Sequence, residues 1–268
     1  MFAVQHFDAA ENHKWLVRKY ECFRFDGALL SEKYIPRPDI SVIFHFRATP
    51  IIVDDTEIWL EPFFAAPILP RSLLLKFRGT MDSFVVACKP TVLSRVFKID
   101  LTPVAGRSIE LPHDIFYPLW SDLSKLATTQ ERIEHFAKFV DSRSESPYAH
   151  DAVDRLYDIL MAKGVTTTLK DIMKNCSASQ RTLERHFIKR TGVSPKTFVR
   201  ILRIDYLWNK INHENAVDYQ ELVFGGGYYD QAHFINDFKA IVGETPGYFF
   251  KRNQTIRKMF SGRVEGMM

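Results

Sequence analysis

Gln180, Arg181, Glu184 and Arg185, and again Gln231, His233 and Asn236, place amide, guanidinium and imidazole groups at one-, three-, four- and five-residue spacings. On a helix each set shares one face, while Leu183 and Phe187, or Phe234 and Phe238, spaced i, i+4, occupy the other. Such side chains can hydrogen-bond the edges of bases, and a major groove about 12 Å wide admits one such helix. This is chemistry of recognition, not of bond cleavage.

Those faces need a frame, and the sequence repeats one. Residues 187–198 read F-I-K-R-T-G-V-S-P-K-T-F and residues 238–249 read F-K-A-I-V-G-E-T-P-G-Y-F, 51 positions later. Gly192 and Gly243 suit the left-handed residue that closes a helix, and Ser194-Pro195 and Thr245-Pro246 suit an N-cap followed by a first-turn proline. The same offset pairs Ser179 with Asp230, Leu183 with Phe234 and Ile172 with Val223. Two helix-turn-helix units are therefore predicted. In the first, Thr168 caps a helix carrying Leu169, Ile172 and Met173, Ser177-Ala178 makes the turn and Ser179 caps the reading helix. In the second, Val217 and Leu222 to Phe224 lie on the first helix, Gly225-Gly226-Gly227 in the turn, and Asp230 caps the reader. No Gly-Lys-Ser/Thr follows those glycines and no strand precedes them, so a helix turn accounts for them better than a phosphate loop.

Residues 195–212 form a predicted connecting helix. Phe198, Ile201, Leu202, Ile204, Leu207, Trp208 and Ile211 give it an apolar surface too wide for one exposed stripe, so it should be buried against both units. That helix would hold the readers about one DNA turn, roughly 34 Å, apart. Lys196, Arg200, Arg203 and Lys210 form a basic stripe on it. Arg203 is expected in a structural salt bridge, and Lys189, Lys196 and Arg200 are candidate phosphate contacts.

The runs S-Q-R-T-L-E-R-H-F-I-K-R-T-G-V-S-P at 179–195 and G-Y-Y-D-Q-A-H-F-I-N-D-F-K-A-I-V-G-E-T-P at 227–246 resemble the C-terminal domain of AraC/XylS-type bacterial transcription regulators. The resemblance covers roughly residues 151–252 and implies that Arg181, Glu184, Arg185, Gln231, Ala232, His233 and Asn236 face double-stranded DNA. It also implies RNA polymerase as a partner, a small-molecule effector or homodimerisation through the N-terminal part, and a cytoplasmic location. Two departures stand out: Leu222-Val223 where the family usually has Ile-Ala, and Asn236 where it usually has arginine. A weaker or differently selective second reader follows from them.

Charge agrees. Residues 151–268 hold 18 basic and 13 acidic side chains, against 18 and 19 in residues 1–150, and residues 168–210 alone hold ten basic and three acidic. Phosphate attraction needs such an excess.

The first half reads as β structure. Runs rich in β-branched and aromatic residues at 40–46, 51–53, 58–60, 73–77 and 84–87 are separated by Pro50, Asp54-Asp55, Pro67, Pro70 and Gly79. Helices are expected near 91–97, 115–126 and 129–140, the last behind a Thr128-x-x-Glu131 capping box. The fold class is therefore α+β: an antiparallel, barrel-like sensory or dimerisation domain at 1–146 and a helical domain at 147–254 with units at 168–190 and 217–241. A tail at 255–268 follows, and the polar stretch 142–147 marks the boundary. Phe23, Phe25, Phe44, Phe46, Trp59, Phe63 and Phe64 are candidates to line an effector pocket.

Other classes fit less well. Cys22, Cys88 and Cys176 form no C-x-x-C pair, which argues against a disulfide frame or a cysteine zinc site. His45 stands alone where a metal would need three or four converging ligands, and it reads as a core or pocket-wall residue. No nucleophile elbow or nucleotide loop occurs. Neither catalytic residues, cofactor nor metal is expected. A DNA-repair enzyme sharing the helical domain would need a reactive cysteine, and Cys176 lacks a catalytic neighbourhood. No apolar run approaches the roughly 20 residues of a membrane span. A ligand- or partner-binding N-terminal module without effector control remains an alternative.

Overall fold

The structure is a computed structural model that describes residues 2–102, 108–143, 149–174, 179–213 and 219–252. Its first half is one antiparallel sheet of β1 (Phe2–Asp8), β2 (Val17–Tyr34), β3 (Ile40–His45), β4 (Ile51–Val53), β5 (Glu57–Trp59), β6 (Phe63–Ala66) and β7 (Leu73–Cys88). The order is β1-β2-β7-β3-β6, with β4 paired to the far end of β7 and carrying β5. The runs 73–77 and 84–87, expected as separate strands, are one strand of 16 residues. Gly79 has φ of 77° and stands opposite Gly27, next to a register shift between Gly27 and Leu30. There the glycines bend the ribbon without ending it. The expected strands also omitted β1, β2 and β6; in β2, Glu21, Arg24 and Asp26 interrupt the apolar residues, so no continuous apolar run marks it.

Strand alternation divides the side chains between two faces. On β3, Ile40, Val42 and Phe44 join Tyr20, Phe84 and Val86 in a core covered by α1 (Pro90–Val96), α2 (His113–Lys125) and α3 (Thr129–Asp141). The Thr128–Glu131 capping box is formed. Ser41, Ile43 and His45 point the other way, into a cavity of about 140 Å³ walled by Phe23, Phe64, Leu75 and Phe77. Of the seven aromatic pocket candidates, only Phe23 and Phe64 line this cavity. Phe44 is core on the opposite face, Phe46 lies under the Arg132 guanidinium, Phe63 packs on α2 through Trp120, and Trp59 is 66 % exposed. Phe25 packs with Phe77 and Met81 beside the cavity. Aromatic character marked these residues, but strand phase decided which face they took.

His45 is both core and pocket wall. Its Nδ1 lies 2.6 Å from Ser83 Oγ, and its Nε2 is buried with no hydrogen-bond partner among the described residues. Burial drives its pKa from 6.5 to about 3. The unfolded chain therefore takes up a proton on His45 below pH 6.5 while the folded chain does not, so stability falls as pH drops from 6.5 toward 3. The expected contribution is about 1.4 kcal/mol per pH unit over that window. Urea midpoints measured against pH for the wild type and His45→Gln should converge as pH falls; parallel curves would show that His45 takes up its proton equally in the folded and unfolded chain.

The second half is helical: α4 (Ala152–Lys163), α5 (Leu169–Lys174), α6 (Gln180–Thr191), α7 (Pro195–His213), α8 (Tyr219–Gly225), α9 (Gln231–Val242) and α10 (Pro246–Arg252). The broad apolar surface of α7 serves two cores, as expected. Phe198, Ile201 and Leu202 pack with Leu156, Leu183 and Phe187, and Ile204 and Leu207 pack with Leu222, Phe234 and Phe238. The Ser177-Ala178 turn, Cys176, Val217, residues 144–147 of the expected boundary, the side chain of Ile211 and the tail lie outside the described residues.

Both helical units dock on the sheet half. Arg95 of α1 pairs with Asp154 at 2.9 Å, and Arg190 at the end of α6 pairs with Asp151. Burial opposes the charge on Asp151, but Arg190 and the backbone amides of Asp154 and Val153 hold its carboxyl at about 2. At the other unit, Lys33 donates to Glu244 at 2.6 Å and to the Val242 carbonyl at 2.9 Å. Ser72 donates to that carbonyl too.

Candidate nucleic-acid interface

The repeated cap signals produce two nearly identical helix ends. Ser179 Oγ accepts from the Thr182 amide at the start of α6, and Asp230 accepts from the His233 amide at 2.7 Å at the start of α9. Gly192 and Gly243 close them with φ of 80° and 83°. Thr168 likewise caps α5 by accepting from the Asp171 amide. Leu183, Phe187, Phe234 and Phe238 are buried. The opposite faces are free: Gln180, Arg181 and Arg185 on α6, and Gln231, Ala232, His233 and Asn236 on α9, are all exposed, while Glu184 is half-buried. The structure thus gathers each predicted set on one outward face of one capped helix, and α7 joins the two.

The basic stripe divides. Lys189 and Lys196 are exposed. Arg200, a candidate phosphate contact, is engaged inside the protein, where its Nε donates to the buried Asp237 at 2.5 Å. Tyr228 also donates its hydroxyl to Asp237, at 3.2 Å, and burial together with that carboxylate pushes the phenol pKa well up. Arg203, expected in a salt bridge, instead lies over the Tyr228 ring at 5.4 Å and has no ion pair among the described residues. The helical period that placed Arg200 and Arg203 on one stripe could not reveal that Asp237, 37 positions from Arg200, rises beside only one of them. Lys210 pairs with Glu221.

One further polar cluster escaped the sequence reading because its members come from distant segments. Glu21, Lys33, Tyr34 and Arg37 line the cavity of the sheet half and also a cleft toward Asp205 and Trp208 of α7. Burial opposes the charge on Glu21, yet Arg37, at 2.8 Å, with His6 and Lys19 holds its carboxyl well below the usual range. Burial pushes the Asp205 carboxyl up. No group of three or more His, Cys, Asp or Glu side chains suited to a metal occurs among the described residues. No described helix is long and apolar enough to cross a membrane.

Two capped helices with outward polar faces, each resting on a shorter helix and joined by a shared one, define a double helix-turn-helix protein. Residues 172–252 match the helix-turn-helix domain family. This stretch is an AraC-type helix-turn-helix domain. The whole fold is similar to that of ToxT from Vibrio cholerae, with a TM-score of 0.51 at 11 % identity over 93 % of this chain and 98 % of that one. A second ToxT structure, from Vibrio cholerae O395 bound to (E)-4-(8-methylnaphthalen-1-yl)but-3-enoic acid, has a TM-score of 0.50 at 12 % identity, with the same coverage. No curated protein matches the sequence.

Proposed function

We propose that the chain reads a two-part DNA site by inserting α6 and α9 into successive major-groove segments. Gln180, Arg181, Glu184 and Arg185 contact the bases of one half, and Gln231, Ala232, His233 and Asn236 those of the other. The observation that carries this reading is the pair of exposed polar faces on helices with matched caps, fixed to one connecting helix. Lys189 and Lys196 hold backbone phosphates, whereas Arg200 serves the fold through Asp237. Residues 1–146 form the sensory or dimerisation domain, residues 147–254 the DNA-binding domain, and RNA polymerase is the partner on the promoter. The separate cores under α1 to α3 and along α7 support that division.

The cavity of the sheet half suits an apolar effector, whose anionic end would have to displace Glu244 from Lys33 or Glu21 from Arg37. Its walls are aliphatic and aromatic, while Lys33 and Arg37 stand at one side. The carboxylic acid carried by the similarly folded ToxT supports this class of ligand.

Selection of bound duplexes from a random pool by the full chain tests the DNA reading. The expected result is a motif of two segments about one turn apart. Asn236 offers no charge and Gln231 one amide, so Gln231→Ala should blur its segment less than Arg185→Ala blurs the other. A single uninterrupted segment, or no enrichment at low salt, would refute reading by both helices.

A further inference from the structure

A cleft of about 600 Å³ separates the two helix-turn-helix units. The first half of α7 lies along it, the loop before α5 forms one wall, and α9 with the Gly227 turn forms the other. The two walls meet at the Gly227 turn, with φ of 72°, which abuts the first unit so closely that a Cβ there would lie 2.2 Å from the Val165 carbonyl oxygen. His233 of the reading face lines the rim.

The charges in this cleft do not cancel. Arg200 and Asp237 neutralise each other. Lys196 is exposed and has no partner among the described residues. Arg203 has a buried Nε without a hydrogen-bond partner there, and its guanidinium lies 5.4 Å from the centre of the Tyr228 ring. The half-buried Thr167 adds a hydroxyl. Two uncompensated cations and a hydroxyl donor, with no uncompensated carboxylate, complement a phosphate oxyanion.

We propose that Lys196, Arg203 and Thr167 bind a phosphate group in this cleft: the backbone phosphate of the strand that crosses between the two groove segments. The proposal rests on the DNA reading above, since a strand passing from the groove at α6 to the groove at α9 must traverse the space between the units. The contact fixes the spacing of the two half-sites without reading a base.

The test uses the full chain and its selected duplex, with single phosphates between the half-sites replaced by neutral methylphosphonates. One replacement should cost the wild type about tenfold, yet cost Lys196→Ala or Thr167→Val little more than they have already lost. Lys196→Ala should also reduce the slope of log K against log salt by about 1 while keeping the selected motif. Additive losses at every phosphate would overturn the cleft contact and leave the reading helices intact. A parallel NMR titration of the DNA-free chain with inorganic phosphate separates the two ideas. If no duplex binds but phosphate does, and Lys196→Ala abolishes it, the cleft is a site for a free phosphate and the DNA reading fails. Binding of neither overturns both.

Discussion

Phe234→Ala should lower the unfolding free energy of the helical half by about 3–5 kcal/mol, and Phe187→Ala by a similar amount. Both rings are 0 % exposed. Phe187 packs edge-on against Phe198 at 5.5 Å between centroids, and Phe234 against Phe238 at 5.8 Å. Truncation removes the ring's transfer free energy and leaves a cavity that two short helices clamped to α7 cannot close. Phe234→Leu, which keeps most of the volume, should cost only about 1 kcal/mol. Urea denaturation of the full chain followed by far-ultraviolet circular dichroism gives the comparison. A loss below about 1 kcal/mol for Phe234→Ala would mean that α9 is not anchored through this ring.

Arg185→Ala should leave stability within about 0.5 kcal/mol, because the side chain is exposed, and act on DNA instead. Affinity for the preferred duplex should fall by roughly 1–3 kcal/mol, about 5- to 150-fold, with the preference lost at the base pairs that the guanidinium reaches. Arg181→Ala should do the same at neighbouring positions. Lys189→Ala should weaken preferred and scrambled duplexes alike and flatten the salt dependence. Anisotropy titrations against single-base variants of the selected site separate these cases. Equal losses on all sequences for Arg181 and Arg185 would move both to the phosphate class.

The docking of both units on the sheet half connects these sites to the cavity. Lys33 lines the cavity and at the same time holds the carbonyl end of α9 through Val242 and the adjoining Glu244. Leu101 presents its carbonyl to Gly192 so closely that a Cβ there would sit at 2.8 Å, so the end of α6 also rests on the first half. The sheet half therefore braces the C-terminal ends of both α6 and α9, and at Gly192 the missing Cβ leaves room for the Leu101 backbone.

What the sequence determined by itself is local. Caps, left-handed glycines and the i, i+4 apolar pairs are written within a few residues of where they act, so α6 and α9, their exposed polar faces and the two-sided burial of α7 were legible from 179–195, 227–246 and 195–212. The capping box of α3 was legible for the same reason. What only the tertiary structure decided depends on residues far apart in the chain. Gly79 continues a strand because Gly27 lies opposite it, and Phe44 leaves the pocket that Ile43 enters because the strand phase is set by its neighbours. Arg200 and Arg203 are chemically alike and one turn apart, yet the fold brings Asp237 to the first and the Tyr228 ring to the second. A hydrogen bond within a turn is specified by adjacent residues, whereas the partner of a half-buried charge is specified by the packing of the whole domain.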